Sequence, residues 1–151
     1  MSEPDDENTA STKPESRYAS AVGRSGAPVE IAVELGHVRR FAEATLDDAP
    51  RLAHDRARVA APPTFAIALR APDPRIGIDV DFTKLLHGEQ AILLDRPIYV
   101  GDVLTVQATI VDAYTKPGKA GTMDFMVIET VGRAEDGERV FRSRSVTVIR
   151  R

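Results

Sequence analysis

From about Leu85 onward the chain alternates apolar and polar residues, and this period of two restricts its fold more than any other feature. Leu104, Val106, Ala108 and Ile110 take turns with Thr105, Gln107 and Thr109, the mark of a strand with one buried and one solvated face. Ala91 to Leu94 forms a shorter apolar run that Pro97 limits, and Val100-Gly101-Asp102 supplies a turn. Beyond the loop expected at Lys116 to Gly121, Met123, Phe125 and Val127 alternate with Asp124 and Met126. Asp136-Gly137 marks a hairpin, and Val140 to Ile149 makes the last strand. About four strands joined by such short connections form an antiparallel meander. The chain contains no internal repeat.

Upstream the periodicity changes. Val29 to Val33 alternates as a short strand. Val38, Phe41, Ala42 and Thr45 recur at helical spacing and predict an amphipathic helix from about Gly36 to Leu46, stopped by Asp47-Asp48-Ala49-Pro50. A second helix is expected to begin at Pro62-Pro63, where a missing N–H is tolerated, and to continue to Arg70 before Pro72 and Pro74 end it. It carries Phe65, Ile67, Ala68 and Leu69, so it needs cover on more than one side. A curved antiparallel sheet wrapped around this central helix provides that cover, which makes the fold class α+β. The helix reaches only part of the sheet's inner face, so pairing with a second such domain is expected. Residues 1–28, rich in Ser, Glu, Asp, Pro and small side chains, read as a disordered N-terminal arm, leaving 29–151 as one domain.

Composition narrows the chemistry. Hydrophobic residues make up 42% of the chain, enough for a core, yet no apolar run has the length of a membrane span. The formal charge of -3 gives no sign of affinity for nucleic acid or an anionic membrane surface. The absence of cysteine excludes disulfides, thiolate metal sites and a cysteine nucleophile. With an acidic, polar N-terminus and no secretory stretch, a cytoplasmic protein is the default expectation. No Ser/His/Asp order, Gly-rich phosphate loop or metal-ligand spacing stands out, and no cofactor is implied.

Four stretches, in this order and spacing, carry a family likeness. They are Ala61-Pro62-Pro63-Thr64-Phe65, then Leu86-His87-Gly88-Glu89-Gln90, then Arg96-Pro97 with Gly101-Asp102, then Lys116 to Gly121 with Glu129-Thr130. Together they resemble the N-terminal type of MaoC-like dehydratase domain, to which the accessory subunits of mycobacterial 3-hydroxyacyl-thioester dehydratases belong. The likeness runs from about Val29 to Arg150. Gly101-Asp102 alone is a turn found anywhere; the proline-led helix combined with Leu-His-Gly-Glu-Gln is far more specific.

The resemblance implies a hot-dog fold and (R)-specific hydration or dehydration of an acyl thioester carried on CoA or acyl carrier protein. Such chemistry needs a base for the alpha proton, an acid for the leaving hydroxyl and donors for the developing enolate oxygen. Active members of the family carry an Asp and a His five residues later in an Asp-x-Asn-Pro-x-His pattern. Aligned on Pro50, Asp47 takes the Asp position, Ala49 the Asn position and Leu52 the His position. Leucine transfers no proton, and His54 lies two residues late. Active members also polarise the thioester carbonyl with a backbone N–H at the start of the central helix. Here Pro62 and Pro63 have none, although Thr64 and Phe65 do.

Each candidate has a bland reading beside the chemical one. His54 lies in a polar run with Asp55, Arg56 and Arg58 and reads as a solvated loop residue; Asp47 and Asp48 suit a helix C-terminal loop. His87 fits a dimer seam or an acyl-thioester channel, and Glu89 would be a base only if it stood beside His87. The weak catalytic candidates are thus Asp47, His54, His87 and Glu89, and the substrate-binding candidates Pro63, Thr64, Phe65, His87 and Gly88. Arg142 and Arg144 on the last strand suit either phosphate contacts or an ordinary charged outer face. Phe65, Ile67 and Leu69 suit an acyl tunnel or plain core. His37 reads as a surface residue.

Three functional expectations follow. The first is a non-catalytic, substrate-channel subunit of a hydratase or dehydratase, with the Asp/His pair supplied by a MaoC-like partner chain. The second is a self-sufficient homodimeric hot-dog hydratase or thioesterase. Against the thioesterase, helix 62–70 carries no carboxylate. The third is a non-enzymatic acyl-CoA binding domain, which would bind without turnover even with a partner present.

Overall fold

The computed structural model describes residues 15–47, 58–119 and 121–151. Five strands form one antiparallel sheet: β1 (Val29–Ala32), β2 (Leu85–Leu94), β3 (Val103–Gly118), β4 (Gly121–Arg133) and β5 (Arg139–Arg150), in the order β1-β3-β4-β5-β2. The long strands β3, β4 and β5 are sequential hairpin neighbours. β2 returns to the far edge beside β5, with Leu94 opposite Phe141 and His87 opposite Thr147. Bulges at Val111 of β3 and Gly88 of β2 add a residue to one strand only and bend the sheet.

The inner face is covered by the ten-residue helix α1 (Leu35–Ala44) and by a shorter piece, Pro63–Ala68. The latter was expected to be an α-helix reaching Arg70 and is instead a 3-10 helix of six residues. Prolines at 62 and 63 withhold two N–H groups, and those at 72 and 74 leave little chain for full α-turns. Phe65 and Leu69 from this piece meet Leu104, Val106 and Phe141 of the sheet, with Val38 of α1 beside them, all essentially fully buried. His37 and Phe41 of α1 set their rings edge-on against Phe65, at 4.9 and 5.4 Å between centroids. His37 is thus half-buried packing and not an open surface residue.

The terminus of α1 differs from expectation as well. The helix is closed before Asp48 by its own backbone: Leu46 N–H donates to the Glu43 carbonyl and Asp47 N–H to that of Ala42. This paired closure needs a left-handed residue, and Leu46 takes that place at φ 55° while 89% exposed. Glycine is the residue that occupies such a position without steric conflict.

Residues 15–28, expected to be disordered, pack as a strap along the free edge of β3. Gly23 and Gly26 donate to the carbonyls of Ile110 and Ala108, and Ile110 donates back to Arg24. Tyr18 and Ala21 are buried against Ile110 and Met126. These two apolar anchors act together with the backbone bonds to β3 and with Ser16, which donates to Asp124. Residues 1–14 lie outside the described residues.

The strap and the C-terminus meet at Asp124 of β4. Its side chain is wholly buried and accepts from Thr115 Oγ1 (2.7 Å), Ser16 Oγ (3.0 Å) and the Arg151 guanidinium (2.9 and 3.1 Å). Burial alone would raise the carboxyl's pKa, but hydrogen bonds from Arg151, Thr115 and Ser16 outweigh it and hold the group at about 2. At the other end of the sheet Asp102 clasps the turn before β3, accepting from Arg96 (2.8 Å) and from Tyr99 N–H (2.8 Å). Arg96-Pro97 and Gly101-Asp102 therefore fasten the β2–β3 connection. Among the described residues no helix is long and apolar enough to cross a membrane.

Two measurements check this account. Replacing Leu46 by Gly should raise the unfolding free energy by about 1 kcal/mol in a denaturant titration, because the left-handed cap then costs no steric conflict. Asp124 has a folded pKa below its unfolded value, so its stabilisation is complete above about pH 5 and fades as pH falls towards 2. The stability difference between wild type and Asp124→Asn should therefore shrink by about 2 kcal/mol between pH 6 and pH 2.5.

Candidate functional site

A cleft of about 390 Å³ opens between the inner face of the sheet and the segment that follows the 3-10 helix. Ala66, Ile67, Leu69, Arg70, Ala71 and the run from Asp73 to Arg75 form one wall. The floor is built from Ala108 of β3, Ile128 and Thr130 of β4, and Ser143, Ser145 and Thr147 of β5; His87 and Gln90 of β2 close the side. Strand register explains who faces inward. Thr130 lies opposite Ser143, Ser145 opposite Gln90 and Thr147 opposite His87. Gln90 Nε2 donates to Ser143 Oγ at 2.6 Å.

Gly88 decides the orientation of β2. The bulge there lets His87 and Gln90 share the cleft side while Glu89 falls opposite Val146 on the outer face, 4.0 Å from Arg144. Glu89 therefore stands across the sheet from His87. A Cβ on Gly88 would come within 2.9 Å of Val148 Cγ2 and 3.2 Å of the Val146 carbonyl oxygen, so only glycine lets β2 approach β5 this closely. Arg142 and Arg144 also lie on the outer face, Arg142 standing 3.9 Å from Glu129. The alternating serines of β5, not its arginines, reach the site.

The mouth carries a rigid ion pair. Arg75 Nε and Nη2 donate to the two carboxylate oxygens of Asp73 at 2.9 and 2.7 Å, and its guanidinium lies 5.7 Å from the Phe82 ring. The Arg75 hydrogen bonds lower the Asp73 pKa against the effect of burial. The strap supports this wall from behind: Arg24 donates to the Ile76 carbonyl, and Gly26 abuts Pro72 so tightly that a Cβ there would overlap the carbonyl.

The other sequence-derived candidates fall as follows. Phe65 is core, and its N–H donates to the Pro62 carbonyl at 2.9 Å, which closes the 3-10 turn. Pro63 and Thr64 are exposed at the start of that helix and do not line the cleft. Asp47 is half-buried just beyond α1, its N–H bonded to Ala42. His54, Asp48, Ala49, Pro50 and Leu52 lie outside the described residues. Among the described residues, then, the cleft holds one histidine, a row of hydroxyls and one carboxylate already bound by arginine. Sequence reasoning missed the row of Thr130, Ser145 and Thr147; the signal available was the Ser-x-Ser-x-Thr alternation from Ser143 to Thr147. Nor do the described residues bring together three His, Asp or Glu side chains that could hold a metal ion.

The profile of the family described as "FAS1-like, dehydratase domain region" matches residues 20–143. A UPF0336 protein of Saccharopolyspora erythraea is 31% identical over 147 residues, an alignment covering 87% of this chain and 90% of the relative. Among solved structures, the C-terminally truncated HadBC (3R-hydroxyacyl-ACP dehydratase) complex from Mycobacterium tuberculosis superposes with a TM-score of 0.69 at 23% identity, covering 85% of this chain and 96% of that one. The ChsH1–ChsH2 complex from the same organism gives 0.69 at 17% identity, over 83% of each chain. At these identities the structural likeness establishes the hot-dog fold. The chain belongs to the FAS1-like dehydratase-region family, and the MaoC-like resemblance read from its sequence is borne out.

A substitution at the bulge tests the architecture of the site. Gly88→Ala should cost about 1–3 kcal/mol in chemical denaturation, since β2 must retreat from β5 to admit the methyl group.

Proposed function

From this family membership we propose that the chain is the accessory half of an (R)-specific enoyl-thioester hydratase or 3-hydroxyacyl-thioester dehydratase. It covers and shapes the substrate cleft, while a MaoC-like partner chain supplies the Asp/His pair. One observation carries the reading. Among the described residues, the cleft contains His87 but no carboxylate available to share its proton work, since Asp73 is bound by Arg75 and Glu89 is on the opposite face. Without a base for the alpha proton and an acid for the hydroxyl, the elimination has no pathway through this chain's described residues.

The sheet edge supports a partner. Among the described residues β2 pairs with β5 on one side only, and Leu86 and Leu93 along it are 48% and 45% exposed. A second sheet adding its own strand to that edge would satisfy the open backbone groups and cover these side chains. The solved structures with which this chain shares its fold include two complexes of paired subunits. The substrate on this reading is an acyl thioester of CoA or acyl carrier protein.

The lone chain should hydrate crotonyl-CoA at a rate indistinguishable from background, read as loss of enoyl absorbance. Co-expression with a MaoC-like chain bearing an intact Asp-x-Asn-Pro-x-His loop should raise the rate by at least two orders of magnitude. Robust turnover by the purified chain that disappears in His87→Ala would overturn the division of labour and favour a self-sufficient homodimer.

A further inference from the structure

We infer that the chain's own acidic segment, residues 3–7, docks into a basic pocket formed by Lys84, Lys119, Arg150 and Arg151. The inference is independent of the acyl-thioester reading. The pocket has a volume of about 330 Å³ and lies where the turn between β3 and β4 meets the start of β2 and the end of β5. No carboxylate is among its lining residues, and all four cations are exposed. Arg151 is engaged by Asp124, and Lys84 stands 3.9 Å from Asp81. Among the described residues Lys119 and Arg150 form no ion pair. Two cations without a counter-charge, held beside two more, set up a positive potential that an anionic group relieves.

The sequence supplies the counter-charge, and the strap points it there. Residues 1–14 hold Glu3, Asp5, Asp6 and Glu7 against Lys13 alone, which accounts for the chain's whole formal charge of -3. The strap runs antiparallel to β3, with Ser25 opposite Thr109 and Glu15 opposite Tyr114. Chain continued back from Glu15 therefore heads for the turn that follows Gly118, about 13 Å of strand beyond Tyr114. Ser16 and Arg151 already share the Asp124 carboxylate, at 3.0 and 2.9 Å, so the described part of the strap begins at the pocket's own wall. The eight residues from Glu15 back to Glu7 span about 27 Å when extended, ample for this distance. Isolated surface ion pairs are weak, but a segment tethered this closely meets the pocket at a millimolar effective concentration, and a few such pairs then hold it.

Carbodiimide coupling of the full chain, which joins carboxylates to lysines without a spacer, tests this, and the chain offers only four lysine side chains. At about 10 mM salt, where the screening length is about 30 Å, peptide mapping of the monomer should place Asp5, Asp6 or Glu7 on Lys84 or Lys119. At about 1 M salt, where that length falls to about 3 Å, the yield of those products should drop about fivefold or more. Titration with pyrophosphate gives a second readout. The triple substitution Asp5→Asn, Asp6→Asn and Glu7→Gln uncovers the pocket and should tighten pyrophosphate binding about fivefold or more; Lys119→Gln with Arg150→Gln in that background should remove the gain. Products that map to neither Lys84 nor Lys119 overturn the inference. Coupling found only at dimer mass also overturns it, because the segment then serves a neighbouring copy. No gain in pyrophosphate affinity on removing the three charges overturns it as well, since the segment then shields nothing.

Discussion

Asp124 sits where four separate pieces of chain converge, and the position of the cleft depends on it. Its buried carboxylate accepts from Ser16 of the strap, Thr115 of β3 and Arg151 at the C-terminus. The strap held in this way runs along β3 and then reaches across to the 72–76 segment, where Arg24 bonds the Ile76 carbonyl and Gly26 presses on Pro72. That segment continues the outer wall of the cleft. A carboxylate that does not itself line the cleft is thereby linked to its outer wall through ordinary packing and backbone hydrogen bonds. A charge so deeply placed is tolerable because its oxygens are surrounded by donors.

The features legible from sequence were those with a regular period. The alternation of Leu104 to Ile110 is the inward face of β3, and the spacing of Val38, Phe41 and Ala42 is the buried stripe of α1. Irregularity hid the rest. The bulges at Val111 and Gly88 exchange the faces of β3 and β2 midway, and in β4 the residues that join the core are Met126 and Ile128, where the apolar pattern suggested Phe125 and Val127. The strap was invisible because its anchors, Tyr18 and Ala21, are too few to make a pattern. The 3-10 helix at Pro63–Ala68 follows from local proline chemistry that a helical tally of apolar residues overrides.

For the site, the motif around His87 was readable and its geometry was not. Sequence placed His87 and Glu89 together; one glycine between them sends the two side chains to opposite faces. On β5 the charged residues drew attention, yet the uncharged ones between them form the floor, and the arginines meet glutamates outside. Both outcomes have the same origin. A residue's chemical conspicuousness carries no information about which side of a strand it occupies, and a single inserted residue reverses the assignment. On the proposed reading, this chain contributes shape to a site for thioester chemistry.

The open edge of β2 has a further consequence for the life of the chain before assembly. Its ten residues contain one charged side chain, Glu89, and no proline, and four leucines and an isoleucine lie among them. Natural edge strands usually guard themselves with lysines, prolines or cover. Among the described residues only the Gly88 bulge guards this one, so on the proposed reading an unassembled copy presents a template that an extended segment, including another copy's β2, is able to join. If a partner caps that edge as proposed, a surplus of this chain would turn an assembly surface into a route to precipitation, which would tie its useful abundance to matched synthesis of that partner.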